Sequence, residues 1–567
     1  MSQEKVIETD ILVIGGGMAG SFAAIKAREQ GLDVTLVDKG YAGKSGSTPY
    51  AFWYAVFNPD WGHELDAWVN YVSTLGEYLN NREWTEIVFK ESYARYQDLV
   101  SWGVEFLKNE KGELESYRFP GIATESFQVK KRVFGQVIRK QVVKTGVKVM
   151  DRIMITDLIK QDGRIVGAVG IAMESNDFHV FKAKAVIMCA GGSSFKPDGW
   201  PVSELTGDGD AMAYRAGAEI SGKEFNEPKS TNADYPAVTM GMFLWKAEKE
   251  GQSLGDHSPP QVHKVKCINA HGEEIVGIPG ANYLELEFEA HAGRAPVYQS
   301  MGPEGMSKDG EGATTPVQKG LAERIGGSAS GLSTHTSEGL WPINTKCATT
   351  LPGLYAAGDA CSTMQVGAVY PGVGYGLCGA SVTGARAGLG AAEYALGASR
   401  PEVNQEEIEK LKKGIFAPME RKGGFSPRWV TQVLRNFTIP YFVLYVKHED
   451  RMNAVLTMVE FMRDHLVPKL RAGDAHELRL AIETKNMIHN AEMKLRASLF
   501  RKESRGTHYR EDYPRRVDPD WLAWVTLKDE KGVVKLSKKP IPRAWWPEPS
   551  LSYEERYPKR LPGEGRE

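Results

Sequence analysis

Thr9-Asp10-Ile11-Leu12-Val13-Ile14-Gly15-Gly16-Gly17-Met18-Ala19-Gly20 decides the fold. The first six residues are a short apolar run of the kind that makes a buried parallel strand. Ser21 to Gln30 follow as a helix, with alanines and charged residues interleaved. Gly15 allows the tight turn between them, Gly17 lets a pyrophosphate approach the backbone, and Gly20 lets helix and strand pack closely. The free N–H groups and positive end of the helix, beginning at Met18 and Ala19, hold the phosphates. A second strand, Val34-Thr35-Leu36-Val37, ends in Asp38, whose carboxylate can accept hydrogen bonds from a ribose. Alone, Gly-x-Gly-x-x-Gly is a weak signal. Set between strand and helix, with an acid about twenty residues on, it marks a dinucleotide site. FAD and NAD both stay open at this point.

Working outward, the 567 residues are too many for one core, so two or three domains are expected. The formal net charge of −2, with no long basic run, speaks against nucleic acid as a partner. The five cysteines form no Cys-x-x-Cys pair, so neither a metal site nor an iron–sulfur cluster is expected within this chain. An odd, unclustered set of thiols fits a reduced, cytoplasmic protein. The polar N-terminus has no apolar signal segment, and no apolar run reaches the roughly 20 residues that span a bilayer.

Lys39-Gly40 and then Ala42 to Thr48 look like the segment that runs under a flavin, which makes Lys39, Ser45, Gly46, Ser47 and Thr48 cofactor contacts. Ala183 to Gly192 looks like the second Gly-terminated strand of FAD proteins, with Ala190, Gly191 and Gly192 at its end. Gly358-Asp359 looks like the clamp on the ribityl chain. On these motifs the chain resembles the flavoprotein superfamily of succinate dehydrogenases and fumarate reductases. That superfamily also holds adenylylsulfate reductase flavoproteins, aspartate oxidase and the ketosteroid dehydrogenases. Thr206 to Asp210, through Ala218, matches the helix after the FAD strand and adds Asp208. Glu503-Ser504-Arg505-Gly506-Thr507-His508-Tyr509-Arg510-Glu511-Asp512-Tyr513-Pro514 resembles the C-terminal signature of the succinate dehydrogenase branch.

The resemblance covers nearly the whole chain. It implies an α/β fold: a Rossmann-like FAD-binding domain with an inserted α+β substrate-capping domain and a C-terminal helical domain. The expected parts are an FAD-binding domain from 1–226 and 344–399, a capping domain over 227–343, a helical domain over 400–517 and a tail over 518–567. Flavin-linked members carry a His where this chain has Gly46, so the FAD is expected to be non-covalent.

Three stretches can carry chemistry. Glu289 to Tyr298 resembles the fumarate reductase stretch whose arginine shuttles a proton, with Arg294 in that place and Ala295 for the usual Gly. Anchoring a substrate carboxylate, or a place in a surface loop, is the other reading of Arg294. Tyr298 is a second proton handler. His335 and Gly339 match a His-x-x-x-Gly-Gly-Ile element whose His binds substrate, with Leu340 for the second Gly. The third stretch is Val366-Gly367-Ala368-Val369-Tyr370-Pro371-Gly372, where succinate dehydrogenases read His-Gly-Ala-Asn-Arg-Leu-Gly. Val366 replaces the His and Tyr370 the carboxylate-binding Arg, which speaks against a plain dicarboxylate. Tyr370-Pro371-Gly372-Val373-Gly374 instead resembles the ketosteroid dehydrogenase motif, in which the Tyr hydroxyl and the second Gly N–H polarise a ketone as an oxyanion hole does. The run Gly376 to Gly388 then reads as a helix that points its positive end at the flavin, with Gly374 just before it as a further cofactor contact.

The reading is an FAD-dependent oxidoreductase acting on CH–CH bonds next to a carbonyl or carboxyl group, with a cyclic ketone desaturase as one form of it. Its partners would be a small carbonyl or carboxylate substrate and an external electron acceptor or donor. The rival is a flavoprotein subunit, like those of fumarate or adenylylsulfate reductase, that passes electrons to an iron–sulfur subunit.

Overall fold

The computed structural model describes residues 3–117, 123–130, 133–195, 205–227, 267–275, 284–295, 297–300, 321–324, 332–372, 374–439 and 441–565. β1 (Glu4–Ile14) is buried from Thr9 onward, as the apolar run requires. It is followed by α1 (Met18–Arg28) and β2 (Val34–Asp38), all five residues of which are buried. The main sheet is completed by β3 (Lys148–Asp151), β4 (Ile153–Gln161), β5 (Arg164–Ala172) and β6 (Phe178–Met188). Its order is β3-β2-β1-β6-β5-β4, parallel across β3-β2-β1-β6 and antiparallel across β6-β5-β4.

Helix α2 (Asp208–Arg215) lies beyond β6. Strand β7 (Leu354–Ala356) then returns from far along the chain and pairs parallel with β6, Ala356 opposite Met188. That pairing joins the two separated stretches of the cofactor fold in one sheet.

From β7 the chain enters α3 (Tyr375–Gly397), a 23-residue helix of small residues that crosses α1 at backbone contact. A Cβ on Gly384 would sit 2.3 Å from Ala19 O, and one on Gly388 2.4 Å from Ala23 O. No side chain larger than hydrogen fits at either position, so the crossing fixes both helices against the sheet.

Residues 227–343 contain the antiparallel strands Cys267–Ile268, Val297–Ser300 and Leu321–Arg324 with the helix Leu284–His291. C-terminal to α3 come α4 (Gln405–Glu420), α5 (Glu449–Phe461) and α6 (Ala475–Phe500). The Leu and Met residues of α5 and α6 fill a core of their own, with Leu456, Met487, Ile488 and Leu495 among its buried members. The stretch read as a tail is folded. Ala523–Glu530 and Val533–Pro540 form a hairpin in a four-stranded sheet with Ile220–Ser221 and Gly339–Leu340. Trp524 is buried in it and donates its indole N–H to Leu79 O at 2.7 Å.

A dry ion network ties α6 to this frame. Lys223 Nζ donates to Asp210 Oδ2 at 2.6 Å, to Glu338 Oε1 at 2.5 Å and to Asn490 Oδ1 at 2.8 Å. Lys494 bonds the other oxygen of Glu338 and donates to Asn226 Oδ1 at 2.9 Å. The Lys223, Glu338 and Lys494 side chains are fully buried. Burial opposes the charge of Glu338, but the two ammonium groups hold its carboxyl below the usual range. Burial outweighs the attraction of that carboxylate at Lys494 and presses its pKa down to about 8.

These contacts set two expectations for stability. Gly388→Ala forces a methyl group into the α1–α3 crossing and should destabilise the protein by about 1–3 kcal/mol with loss of retained FAD, read by denaturant melts and by flavin released on gel filtration. Glu338→Gln leaves two buried lysines without their shared carboxylate and should cost about 3–5 kcal/mol in the same melt.

Candidate active site

One cavity of about 340 Å³ opens where β1, β2, α1 and α3 converge. Its floor is the turn Gly15–Gly17 with Met18 and Ala19 of α1. A Cβ on Gly15 would meet Cys189 O at 2.3 Å, and one on Gly20 would meet Gly15 O at 1.8 Å, so turn, helix and β6 touch through backbone. Gly20 and Gly192 do this packing outside the cavity lining; a Cβ on Gly192 would strike Ser333 Oγ at 2.1 Å. Ala190 and Gly191 line the cavity.

Asp38 also lines the cavity, and its carboxylate already serves the protein. Oδ2 accepts from Gly16 N at 2.8 Å, and Oδ1 accepts from Gly40 N and Ser45 Oγ, both at 2.8 Å. It therefore braces the glycine turn as well as facing the space for a ribose. Thr48 Oγ1 accepts from Met18 N at 3.0 Å and caps the first turn of α1. Lys39 Nζ is held by Asp208 Oδ2 at 2.7 Å, Thr206 Oγ1 at 2.9 Å and Glu483 Oε1 at 3.0 Å. Burial works against that charge, but the two carboxylates raise its pKa above the ordinary lysine value. Lys39 and Asp208 thus line the cavity as a locked pair of donor and acceptor.

Gly46 and Ser47 lie along the same wall, and a Cβ on Gly46 would meet nothing within 4 Å. The position has room for a cofactor ring and no side chain to link to it. At the far end Gly358 N donates to Thr383 Oγ1 at 3.0 Å. Asp359 Oδ1 is buried with no hydrogen-bond partner, an acceptor of the kind a ribityl hydroxyl satisfies. The glycine turn, the helix end, the open Gly46 wall and this acceptor together fit FAD.

The chemistry-bearing end gathers three groups. His335 Nδ1 lies 2.7 Å from Asp359 Oδ2, and its backbone N donates to Glu227 Oε1 at 3.3 Å. Glu227 is 3% exposed. The Tyr370 ring centroid is 4.8 Å from that of His335. Tyr370 Oη accepts from Gly376 N at 2.9 Å, which leaves the phenol's own proton to donate. Burial, and then the charge of Glu227, push the Tyr370 phenol well above its ordinary value, so it stays protonated. Gly374, at φ +86°, caps α3 and accepts from Ala55 N at 3.3 Å and Cys378 N at 3.1 Å. His335, Asp359, Tyr370, Gly374 and Gly376 all line the cavity.

The structure does not bring Arg294 to this group. It follows the helix Leu284–His291, and its guanidinium is clamped on Glu289, Nε to Oε2 at 2.6 Å and Nη2 to Oε1 at 2.7 Å. The arginine carries its own counter-ion and is not among the described residues that line the cavity, so this arrangement gives no support to the proton-shuttle reading. Tyr298 lies on the strand Val297–Ser300, and its side chain falls outside the described residues.

Sequence reasoning missed Glu227, an isolated acid with no motif around it, and Glu338, which sits inside the His335 element but points to the buried lysines. It also missed the Tyr50–Trp53 wall and Ile153–Ile155 of β4. The aromatic run beside Ser45–Thr48 was the one available signal for the former.

Residues 10–229 match a family model described as an FAD binding domain. Residues 445–553 match the C-terminal region of fumarate reductase flavoproteins. The chain is 27% identical over 564 residues to a CoM/CoB fumarate reductase polypeptide of Methanothermobacter marburgensis, covering 93% of this chain and 98% of that one. It is 26% identical over 592 residues to the fumarate reductase flavoprotein subunit of Mycobacterium tuberculosis, covering 95% and 98%. Adenylylsulfate reductase of Archaeoglobus fulgidus has the same fold, with a TM-score of 0.78 at 22% identity over 96% of this chain and 98% of that one. Fold, cavity and relatives agree: residues 10–229 hold an FAD binding domain, the chain is similar over nearly its whole length to fumarate reductase flavoproteins, and it is an FAD-dependent oxidoreductase.

Proposed function

We propose that this oxidoreductase forms or saturates a C–C double bond next to a substrate carbonyl group, with a cyclic ketone as the substrate class that suits the site. The observation that carries this reading is Tyr370. A phenol kept protonated by burial, fixed by the Gly376 N–H and facing the cavity, stands where the resemblance expects a carboxylate-binding arginine. When bound, FAD supplies the two-electron redox chemistry. Tyr370 Oη–H and the Gly374 N–H grip the carbonyl oxygen and stabilise the charge that gathers on it. His335, oriented by Asp359, positions the substrate. Lys39 is the one Lys or Arg among the described lining residues, and its ammonium is already taken by Asp208 and Glu483. A neutral carbonyl suits such a lining better than two carboxylates do.

A second reading has its own support. The C-terminal match and relatives named as subunits favour a flavoprotein that hands electrons to an iron–sulfur partner. Such a partner would be the external electron acceptor or donor. The buried free thiols Cys189, Cys347, Cys361 and Cys378 suit the cytoplasmic setting we infer.

Anaerobic titration of the holoenzyme with cyclic ketones, saturated dicarboxylates and nucleotide sulfates separates these readings. Bleaching of the flavin band by ketones alone is expected; bleaching by succinate alone overturns the carbonyl assignment. Copurification of a cysteine-rich subunit from the native source would establish the electron-transfer reading. Tyr370→Phe should slow ketone turnover by about 10²-fold with FAD content unchanged, checked by stopped-flow reduction against the flavin spectrum. Because the phenol's pKa is raised, its donor form outlasts the ordinary tyrosine value of about 10. A pH–rate profile should accordingly show no alkaline loss from this group up to that pH.

A further inference from the structure

A second cavity, of about 300 Å³, lies where α4 and α6 meet β4, the edge strand of the main sheet. One wall is cationic, with Arg215, Lys410, Arg421 and Lys485 set against the carboxylate of Asp157. Arg215 is already occupied: it bonds Asp157 Oδ1 at 2.9 Å, Thr156 O at 2.8 Å and Asn486 Oδ1 at 2.9 Å. Arg421 donates to Leu470 O, and Lys410 lies 3.8 Å from Glu407 in an exposed pair.

Lys485 differs from these three. Among the described residues no hydrogen bond or salt bridge engages its ammonium. Arg215 beside it, and then burial, press its pKa down to about 8, with Asp157 acting the other way. One helical turn further along α6, burial and then the charges of Arg215, Lys485 and Arg463 hold His489 neutral, and its Nδ1 is buried with no hydrogen-bond partner. The lining also carries an apolar part, made by Leu411, Ile415, Val467 and Ile482.

A partly enclosed cation without a counter-ion is unfavourable, and an anion relieves it. A bare inorganic ion would leave the apolar wall wet, and a neutral apolar molecule would leave Lys485 unpaired. The volume falls at the lower end of small-molecule sites. We propose that this cavity binds a small organic anion with an apolar body, its carboxylate on Lys485 and its chain against the α4 wall.

The probe is octanoate, titrated calorimetrically into the FAD-loaded full chain at pH 7, with octanamide supplying the same body without charge and acetate the head without the body. Octanoate should bind at least about tenfold more tightly than either control. Lys485→Met should weaken octanoate by about tenfold or more, while Lys485→Arg restores it. The anion favours the charged lysine, so affinity should fall as pH rises above 8, by up to about tenfold per unit, with proton uptake seen as a buffer-dependent heat at pH 9. Equal binding of octanoate and octanamide, no binding of octanoate, or an unchanged Lys485→Met variant overturns the proposal. So does saturation that tracks a shift of the flavin band and survives Lys485→Met, because it places octanoate beside the cofactor.

Discussion

The close crossing of α1 and α3 is the contact on which the site depends. Gly384 and Gly388 let α3 rest on the backbone of Ala19 and Ala23, and that crossing is possible only with hydrogen in place of a side chain. Both helices begin at the cavity wall, α1 at Met18 and α3 at Tyr375 with Gly376 and Leu377 on the lining. Two positive helix ends therefore face one space. A shift of either helix would move the turn at Gly15 and the donors at Gly374 and Gly376 together.

The loop that carries Tyr370 has support from distant parts of the chain. Ala368 O accepts from Thr507 N at 3.2 Å, and a Cβ on Gly506 would sit 2.5 Å from Ala368 Cβ. The C-terminal signature therefore braces the loop from behind. It is held around the fully buried Arg505, which donates to the buried Glu503 Oε1 at 2.7 Å, to the partly buried Asp518 Oδ1 at 2.7 Å and to the backbone O of Glu77 at 3.0 Å. Buried ions of this kind add little net stability, but a wrong arrangement leaves a bare charge in the interior. Here they set one position for the loop and hence for the phenol.

The electrostatics of the redox end follow from burial. Glu227 and Asp359 place carboxylates near a phenol that desolvation already keeps protonated. Tyr370 thereby keeps its proton. The His335–Asp359 pair fixes one ring nitrogen, so the orientation of the imidazole is set before a substrate arrives.

How far the sequence could be read follows the range of the interactions. The strand-turn-helix at Thr9 to Gly20 and the run from Ala183 to Gly192 were legible because hydrophobic burial and glycine spacing act over a few residues. Ser45 to Thr48 and Tyr370, singled out by their resemblance to family motifs, both line the cavity. The partner of Arg294 was not legible, because no motif announces that Glu289, five residues away, clamps it bidentately. Nor was the hairpin of residues 523–540, whose sheet partners lie at 220–221 and 339–340. By itself the sequence determined an FAD-type α/β fold and the presence of a phenol in place of a guanidinium, since both rest on local pattern. Tertiary structure alone decided that Glu227, His335, Asp359 and Tyr370 share one corner and that Lys223, Glu338 and Lys494 hold it, because those groups come from separate segments and meet only through long-range packing and charge.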